Sequence, residues 1–209
     1  MISRITISLL KIALIYLIAC FCILSGCVST NVDKPSWSES EPVIENNCPD
    51  LSGMYNNIAI GGEKDTCKIS SIGEIDSACI LSRVLESPLV DLPAITPATD
   101  LTNTTVEIGK LNDNLIPVKI YKENSLLKEF FLGQEERKLD CNNGALFLPF
   151  YGSESFGGYG LMMMTGGLYF TKGKDDSIIL EINIISGGVL LVIPVGSHYQ
   201  NWYKWESTQ

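Results

Sequence analysis

From Thr105 onward the chain reads as one β-strand after another, and no other feature narrows the fold as much. β-Branched and aromatic residues cluster in Thr105–Ile108, Leu115–Tyr121, Leu126–Leu132, Gly144–Phe150, Leu161–Phe170, Ser177–Ile185, Val189–Val195 and Tyr199–Trp205. Asn112-Asp113, Asn142-Asn143-Gly144, Gly173-Lys174-Asp175-Asp176 and Ser186-Gly187-Gly188 separate them, and these residue types favour tight turns. Connections this short make sequential strands antiparallel neighbours. An earlier strand is expected through Tyr55, Ile58 and Ile60, ended by Gly61-Gly62. The expectation is a mainly β domain, an antiparallel β-meander of about nine strands closed as a barrel or folded as a sandwich, which leaves few bare edges. Ile178-Ile179-Leu180 and Val189–Ile193 are apolar throughout rather than alternating, so both of their faces should be covered.

One amphipathic helix precedes these strands in the prediction. Ile72, Ile75, Cys79, Leu81 and Val84 or Leu85 recur at helical spacing, which places the helix from about Gly73 to Leu85. Ser87-Pro88 closes it, because proline disfavours helical backbone in the residue before it. Pro88, Pro93 and Pro97 then read as a loop.

The amino terminus carries a different signal. Arg4 and Lys11 precede an uncharged apolar run from Ile12 to Ile23, and small residues follow at Ser25-Gly26, the layout of a secretory signal. Leu24-Ser25-Gly26-Cys27 resembles the lipobox of bacterial lipoproteins at every position. That resemblance implies cleavage before Cys27, lipidation of its thiol and acylation of the new amino group. Multiple chains matter, since one alone holds a protein only marginally. A spanning helix is the competing reading, but the apolar run is at the short limit of about 17 residues for crossing hydrocarbon. Val28, rather than Asp, follows the cysteine, which by resemblance to enteric sorting implies the outer membrane, with the domain on its periplasmic face.

The expected organisation is a signal peptide over residues 1–26, a lipidated Cys27 with a flexible tether to residue 47, and one domain over 48–209. Val28–Asn47 is polar, contains Pro35 and Pro42 and lacks periodicity, as a tether should. Of 15 basic residues, Arg4 and Lys11 leave with the signal, so the remaining 183 residues hold 13 basic against 24 acidic side chains, net −11. That charge disfavours nucleic acid and anionic headgroups as partners. Four cysteines remain in the domain: Cys48, Cys67, Cys79 and Cys141. An even number in an exported chain suggests two disulfides of three possible connectivities. The preferred pairing is Cys67 with Cys79 as a local staple and Cys48 with Cys141 tying the domain's start to a later strand. The domain opens with Cys48-Pro-Asp-Leu-Ser-Gly-Met-Tyr55, which resembles a C-P-D-L-S-G-x-Y start in a group of proteobacterial lipoproteins. The resemblance brings no activity with it, and Asp50 and Ser52 read as turn caps.

No catalytic constellation emerges. Ser153 and Ser155 lack the spacing of a nucleophile elbow, and His198, the single histidine, sits in an expected turn, Gly196-Ser197-His198. Asp175-Asp176 and Glu135-Glu136 read as solvated turns, and the residues suggest neither metal nor cofactor. Binding is the expected role, with an envelope protein or an apolar ligand as the partner besides the membrane. Met162-Met163-Met164 would supply an adaptable apolar surface. In Tyr199–Trp205, alternation sets Trp202 and Lys204 opposite Tyr199, Tyr203 and Trp205. A large interior cavity would make the protein a lipocalin-like carrier. Tyr169-Phe-Thr-Lys172-Gly173, followed by Ile178–Leu180, resembles the T-K-G turn of membrane-bound lysozyme inhibitors, which implies a small periplasmic β-barrel using Lys172 to enter the lysozyme cleft. This chain departs from that pattern in its length, its CPDLSG opening and its helix.

Overall fold

The computed structural model describes residues 27–30, 34–36, 39–40, 48–60, 67–68, 74–86, 95–97, 101, 103–133, 139–155, 160–190 and 193–208. The expected signal peptide, Gly61-Gly62, the Ser87-Pro88 stop and Glu135-Glu136 lie outside the described residues.

The protein is mainly β, and its antiparallel strands form two principal sheets packed as an open sandwich. The strands are β1 (Cys27–Thr30), β2 (Gly53–Asn56), β3 (Glu74–Asp76), β4 (Ile95–Pro97), β5 (Thr104–Ile108), β6 (Ile116–Lys122), β7 (Ser125–Leu132), β8 (Asp140–Asn142), β9 (Ala145–Ser155), β10 (Gly160–Lys172), β11 (Ile178–Leu190) and β12 (Ile193–Trp205). One sheet has the order β1-β12-β11-β10-β9-β8, and the second has the order β2-β5-β6-β7. β3 and β4 form a small separate pair, so the proline-rich stretch read as loop contributes a short strand at Ile95–Pro97.

Local chemistry explains the turns. Asp113-Asn114, Glu123-Asn124 and Asn143-Gly144 hold positive φ at both central positions, the backbone that matches the twist of antiparallel hairpins. The two sheets meet at one corner, where the chain after β12 runs along β2. Asn56 N–H donates to Glu206 O at 3.0 Å and Thr208 N–H to Met54 O at 2.8 Å. Among the described residues no strand pairing closes the opposite corner, and of the two expected closures this is the sandwich.

Alternation fills the interior between the sheets. Tyr55, Val106, Ile108, Val118 and Leu132 face Leu146, Leu148, Leu168, Phe170, Leu180, Ile182, Tyr203 and Trp205, all buried. Trp205 Nε1–H donates to Cys79 O at 3.1 Å, which satisfies the indole's one polar group. Cys48 pairs with Cys141 (Cα–Cα 5.1 Å) and Cys67 with Cys79 (Cα–Cα 5.4 Å), the preferred connectivity.

The helix is much shorter than its pattern. Glu74–Asp76 is strand β3, Ser77–Cys79 is a 3-10 turn capped by Asp76, and only Leu81–Glu86 (α1) is α-helical. Helical spacing reported which side chains are buried, since Ile75, Cys79, Leu81, Val84 and Leu85 all reach the core. It did not report the backbone, because the disulfide to Cys67 and the pairing of β3 with β4 hold the first half extended.

Three expected strands at the carboxyl end are two long ones. Ser186-Gly187-Gly188 is not a turn but lies within β11, paired with Met164, Met163 and Met162 on one side and Ser197, Gly196 and Val195 on the other. Gly196-Ser197-His198 likewise belongs to β12. Gly188 is there for close contact, since a Cβ on it would meet the Leu161 backbone. Ile178-Ile179-Leu180 is covered on both faces as expected, but Val189 is exposed.

Candidate functional site

The six-stranded sheet has an inward face, packed on the core, and an outward face partly covered by the chain's own beginning. Register assigns the outward face directly. Phe147, Tyr169, Glu181 and Trp202 form one cross-strand row of it, from β9 to β12. The neighbouring inward row is Leu146, Phe170, Leu180 and Tyr203, so alternation places Trp202 opposite Tyr203 and Trp205 as expected.

Lys34 to Ser40 crosses this outward face among the described residues. Ser40 forms a bridge with Gly173, and Glu39 Oε2 accepts from Lys174 Nζ at 2.7 Å. That hydrogen bond from Lys174 holds the Glu39 carboxyl below its usual pKa range. Lys34 Nζ lies 5.3 Å from the centroid of the Trp202 ring. Part of the stretch read as a tether therefore lies against the sheet, and its first residues form β1, parallel to β12.

Between this segment and the sheet lies a cleft of about 320 Å³, lined by Lys34, Ser40, Asn143, Tyr169, Glu181 and Trp202, with Ala145 and Thr171 at its base. Glu181 Oε1 accepts from Gln200 Nε2 at 2.7 Å, which fixes the carboxylate on the strand. Tyr169 is held by Phe147, their ring centroids 4.8 Å apart. Asn143 belongs to the β8–β9 turn, where its φ is 50°. Trp202 is 8% exposed, yet its Nε1–H has no hydrogen-bond partner among the described residues. That nitrogen is closed to solvent, and a buried donor left unmade costs about 1–3 kcal/mol. The cleft thus joins one cation, one carboxylate, an amide, hydroxyls and the Trp202 indole. It suits a polar ligand or a polar loop carrying a hydrogen-bond acceptor.

The other expected binding residues are dispersed. Met163 is 64% exposed on the outward face, whereas Met162 and Met164 point inward and are half-buried. Trp202 shares Met163's face but stands six residues farther along the sheet, about 20 Å away. Lys172 is on the inward face and engaged: its Nζ donates to Tyr55 Oη at 3.0 Å and pairs with Asp176 at 3.4 Å. Burial works against the charge of Lys172, but Tyr55 and Asp176 outweigh it and raise the pKa. The same burial raises the Tyr55 phenol. This network, with Tyr55 Oη donating to Leu51 O at 2.9 Å, accounts for the CPDLSGMY segment as a brace. Within it Ser52 N–H donates to Asp50 Oδ1 at 3.0 Å, the turn cap expected of these residues. Both the amide and the hydroxyl hydrogen bonds from Ser52 lower the Asp50 pKa.

Sequence reasoning missed Lys34, Ser40, Asn143, Tyr169 and Glu181, which come from four separated segments. Only Glu181 carried a signal, as the single charge inside the apolar run Ile178–Ile185. Among the described residues, no group of three or more His, Cys, Asp or Glu side chains is arranged to hold a metal ion. No known protein family, curated protein or solved structure matches this chain.

Proposed function

We propose that the chain is an exported lipoprotein, anchored through Cys27 in the outer membrane, whose periplasmic domain acts by binding rather than by catalysis. The anchoring half of this reading rests on the lipobox and the basic, apolar segment before it. The binding half rests on one observation above all: a cleft of about 320 Å³ that brings Lys34, Asn143, Tyr169, Glu181 and Trp202 together from separate segments. A partner in the envelope that presents a hydrogen-bond acceptor, such as a polar loop of another protein, is the occupant this lining favours. An interior carrier site for apolar ligands is less favoured, because Trp205, Tyr55, Tyr203 and Phe170 fill the space between the sheets. Inhibition of lysozyme through Lys172 is less favoured because Tyr55 and Asp176 already occupy that ammonium.

Radiolabelled palmitate should label the wild-type protein and fail to label Cys27→Ala. Equal labelling of both removes the anchor reading. For binding, membrane-extracted wild type, Glu181→Gln and Trp202→Phe would be used to capture envelope components, identified by mass spectrometry. The partner retained by wild type should fall at least tenfold for each variant. An unchanged partner set overturns the cleft as the binding site.

A further inference from the structure

The charge on the six-stranded sheet is distributed unevenly along its length. β10 has no charged residue before Lys172, β12 none before Lys204, β11 none beyond Glu181, and β9 only Glu154. The charge-poor ends of these four strands all lie on the side where β10 and β12 begin, and the one charge there is Glu154 on the edge strand β9, paired with Met162. There the inward apolar residues Met162, Met164 and Ile184 are only half-buried.

On the outward face the same end is apolar and open, and its rows follow an order. Leu161 and Val189, with Ser155 on the edge strand, form the outermost row, and Met163 with Ser153, Gly187 and Gly196 the next. Tyr151, Thr165, Ile185 and His198 follow, and then the polar pair Asn183 and Gln200 beside Gly167. Glu181 and Trp202 come one row later. Leu161, Met163, Ile185, Val189 and Tyr151 are all exposed, and all five share this face. Across β10 to β12 the order is apolar, then aliphatic with small polar groups, then amide, then charged. Residues sort in that order with distance from hydrocarbon, tyrosine at the interface included.

The chain's own route says what covers this patch. β1 runs parallel to β12 with Cys27 opposite Gly196, so Cys27 stands in the row of Met163. Because β1 runs parallel to β12, Cys27 is the end of β1 that lies toward the patch. The strand ends Gly160, Leu190 and Ile193 lie three residues beyond that row, about 10 Å farther out. Acyl chains on Cys27 hold that residue at headgroup level, which carries everything beyond its row into the lipid. Interfacial apolar elements seat about 5–10 Å into the headgroup–acyl boundary, the same reach. The insertion is shallow, because β8 pairs β9 only through Phe147 and the outer edge of β9 beyond needs water or headgroups for its backbone.

We infer that the charge-poor end of the six-stranded sheet, presenting Leu161, Met163, Ile185, Val189 and Tyr151, is a second membrane contact seated in the leaflet that holds the Cys27 acyl chains. The inference rests on the lipoprotein reading of Cys27. It fixes the domain's orientation: the Trp202 cleft stands six residues above the Cys27 row, about 20 Å clear of the headgroups.

The test uses the full chain, extracted from membranes and reconstituted into vesicles of phosphatidylethanolamine and phosphatidylglycerol. An environment-sensitive fluorophore is placed on Met163→Cys or, as a control at the sheet's opposite end, on Lys174→Cys. The native cysteines do not compete, since four are disulfide-bonded and Cys27 is acylated. Emission from position 163 should shift to the blue, and a lipid-borne shallow nitroxide should quench it at least fivefold more than position 174. Adding Leu161→Asp and Val189→Asp should remove that difference while tryptophan emission stays native. Equal quenching at the two positions, in protein that palmitate labels at Cys27, overturns the contact and leaves the anchor standing. Failure of palmitate labelling overturns the anchor on its own readout. A blue shift at 163 with no nitroxide quenching means another protein surface covers the patch, which also overturns the contact.

Discussion

At the scale of single residues, the protein spends its few buried polar groups on joining elements. Asn57 is 1% exposed and makes four such bonds: Oδ1 accepts from Ser82 N–H (2.8 Å), Nδ2 donates to Thr104 Oγ1 (3.0 Å), its carbonyl accepts from Leu81 N–H (2.9 Å), and its N–H donates to Thr104 O (3.2 Å). It therefore caps α1 from another segment. Asn57→Ala removes both side-chain partners and should cost about 2 kcal/mol in urea unfolding followed by tryptophan emission. Trp202→Phe should behave oppositely, leaving stability unchanged or slightly raised, because it deletes a donor with no partner among the described residues. Asp175 supplies the acid-sensitive contact. The hydrogen bond from Lys204 (2.6 Å), then that from Ser177, lowers its pKa from 3.8 to about 2. A lowered folded-state pKa stabilises the fold above the unfolded value and stops doing so as pH falls through the folded one. Stability should therefore drop from about pH 4 towards pH 2, and Asp175→Asn should flatten that limb. The side chain is 57% exposed, so screening holds the contribution to less than about 1 kcal/mol.

At the scale of elements, a shared burial pattern concealed three different backbones. Ile75 to Leu85 carries one buried stripe, but it is built from a strand, a 3-10 turn and a six-residue helix. Periodicity reports which side chains face the core, and short segments satisfy it in more than one way. Glycine misled in the same manner, because Ser186-Gly187-Gly188 reads as a turn when it permits tight strand packing. The two kinds of glycine separate by experiment. A Cβ at Gly167 would strike the Phe147 ring, whereas one at Gly187 meets nothing within 4 Å. Gly167→Ala should destabilise by about 1–3 kcal/mol. Gly187→Ala should be neutral or stabilise by up to about 1 kcal/mol, through a less flexible unfolded chain. Thermal unfolding of the two variants side by side measures the difference.

At the scale of the whole molecule, the two disulfides act over different spans. Cys48–Cys141 closes 93 residues and links the CPDLSG brace to the six-stranded sheet, whereas Cys67–Cys79 closes 12. Loop-closure entropy alone assigns about 4.7 kcal/mol to the first and about 3 kcal/mol to the second. The Cys48→Ser/Cys141→Ser double variant should therefore unfold at lower urea than Cys67→Ser/Cys79→Ser. The reverse order would mean that the short loop's strain or packing governs. Both sheets also depend on the chain's last residues, since the Thr208–Met54 and Asn56–Glu206 bonds join the β2 edge to the end of β12.

What the sequence determined by itself was whatever depends on neighbours along the chain. Alternation gave the β class, the strands from Thr104 to Leu132 nearly to the residue, and the opposite facing of Trp202 and Trp205. Asn-Asp and Asn-Gly pairs gave the turns, and cysteine separation suggested the pairing that the fold adopts. What only the tertiary structure decided was which edges meet and what lies over them. The parallel docking of β1 on β12, the cover of Lys34 to Ser40, the cleft at Trp202 and the commitment of Lys172 to Tyr55 all join residues far apart in sequence. Each is a balance between burying a surface and the chain entropy of bringing distant segments together, and no local pattern encodes that balance.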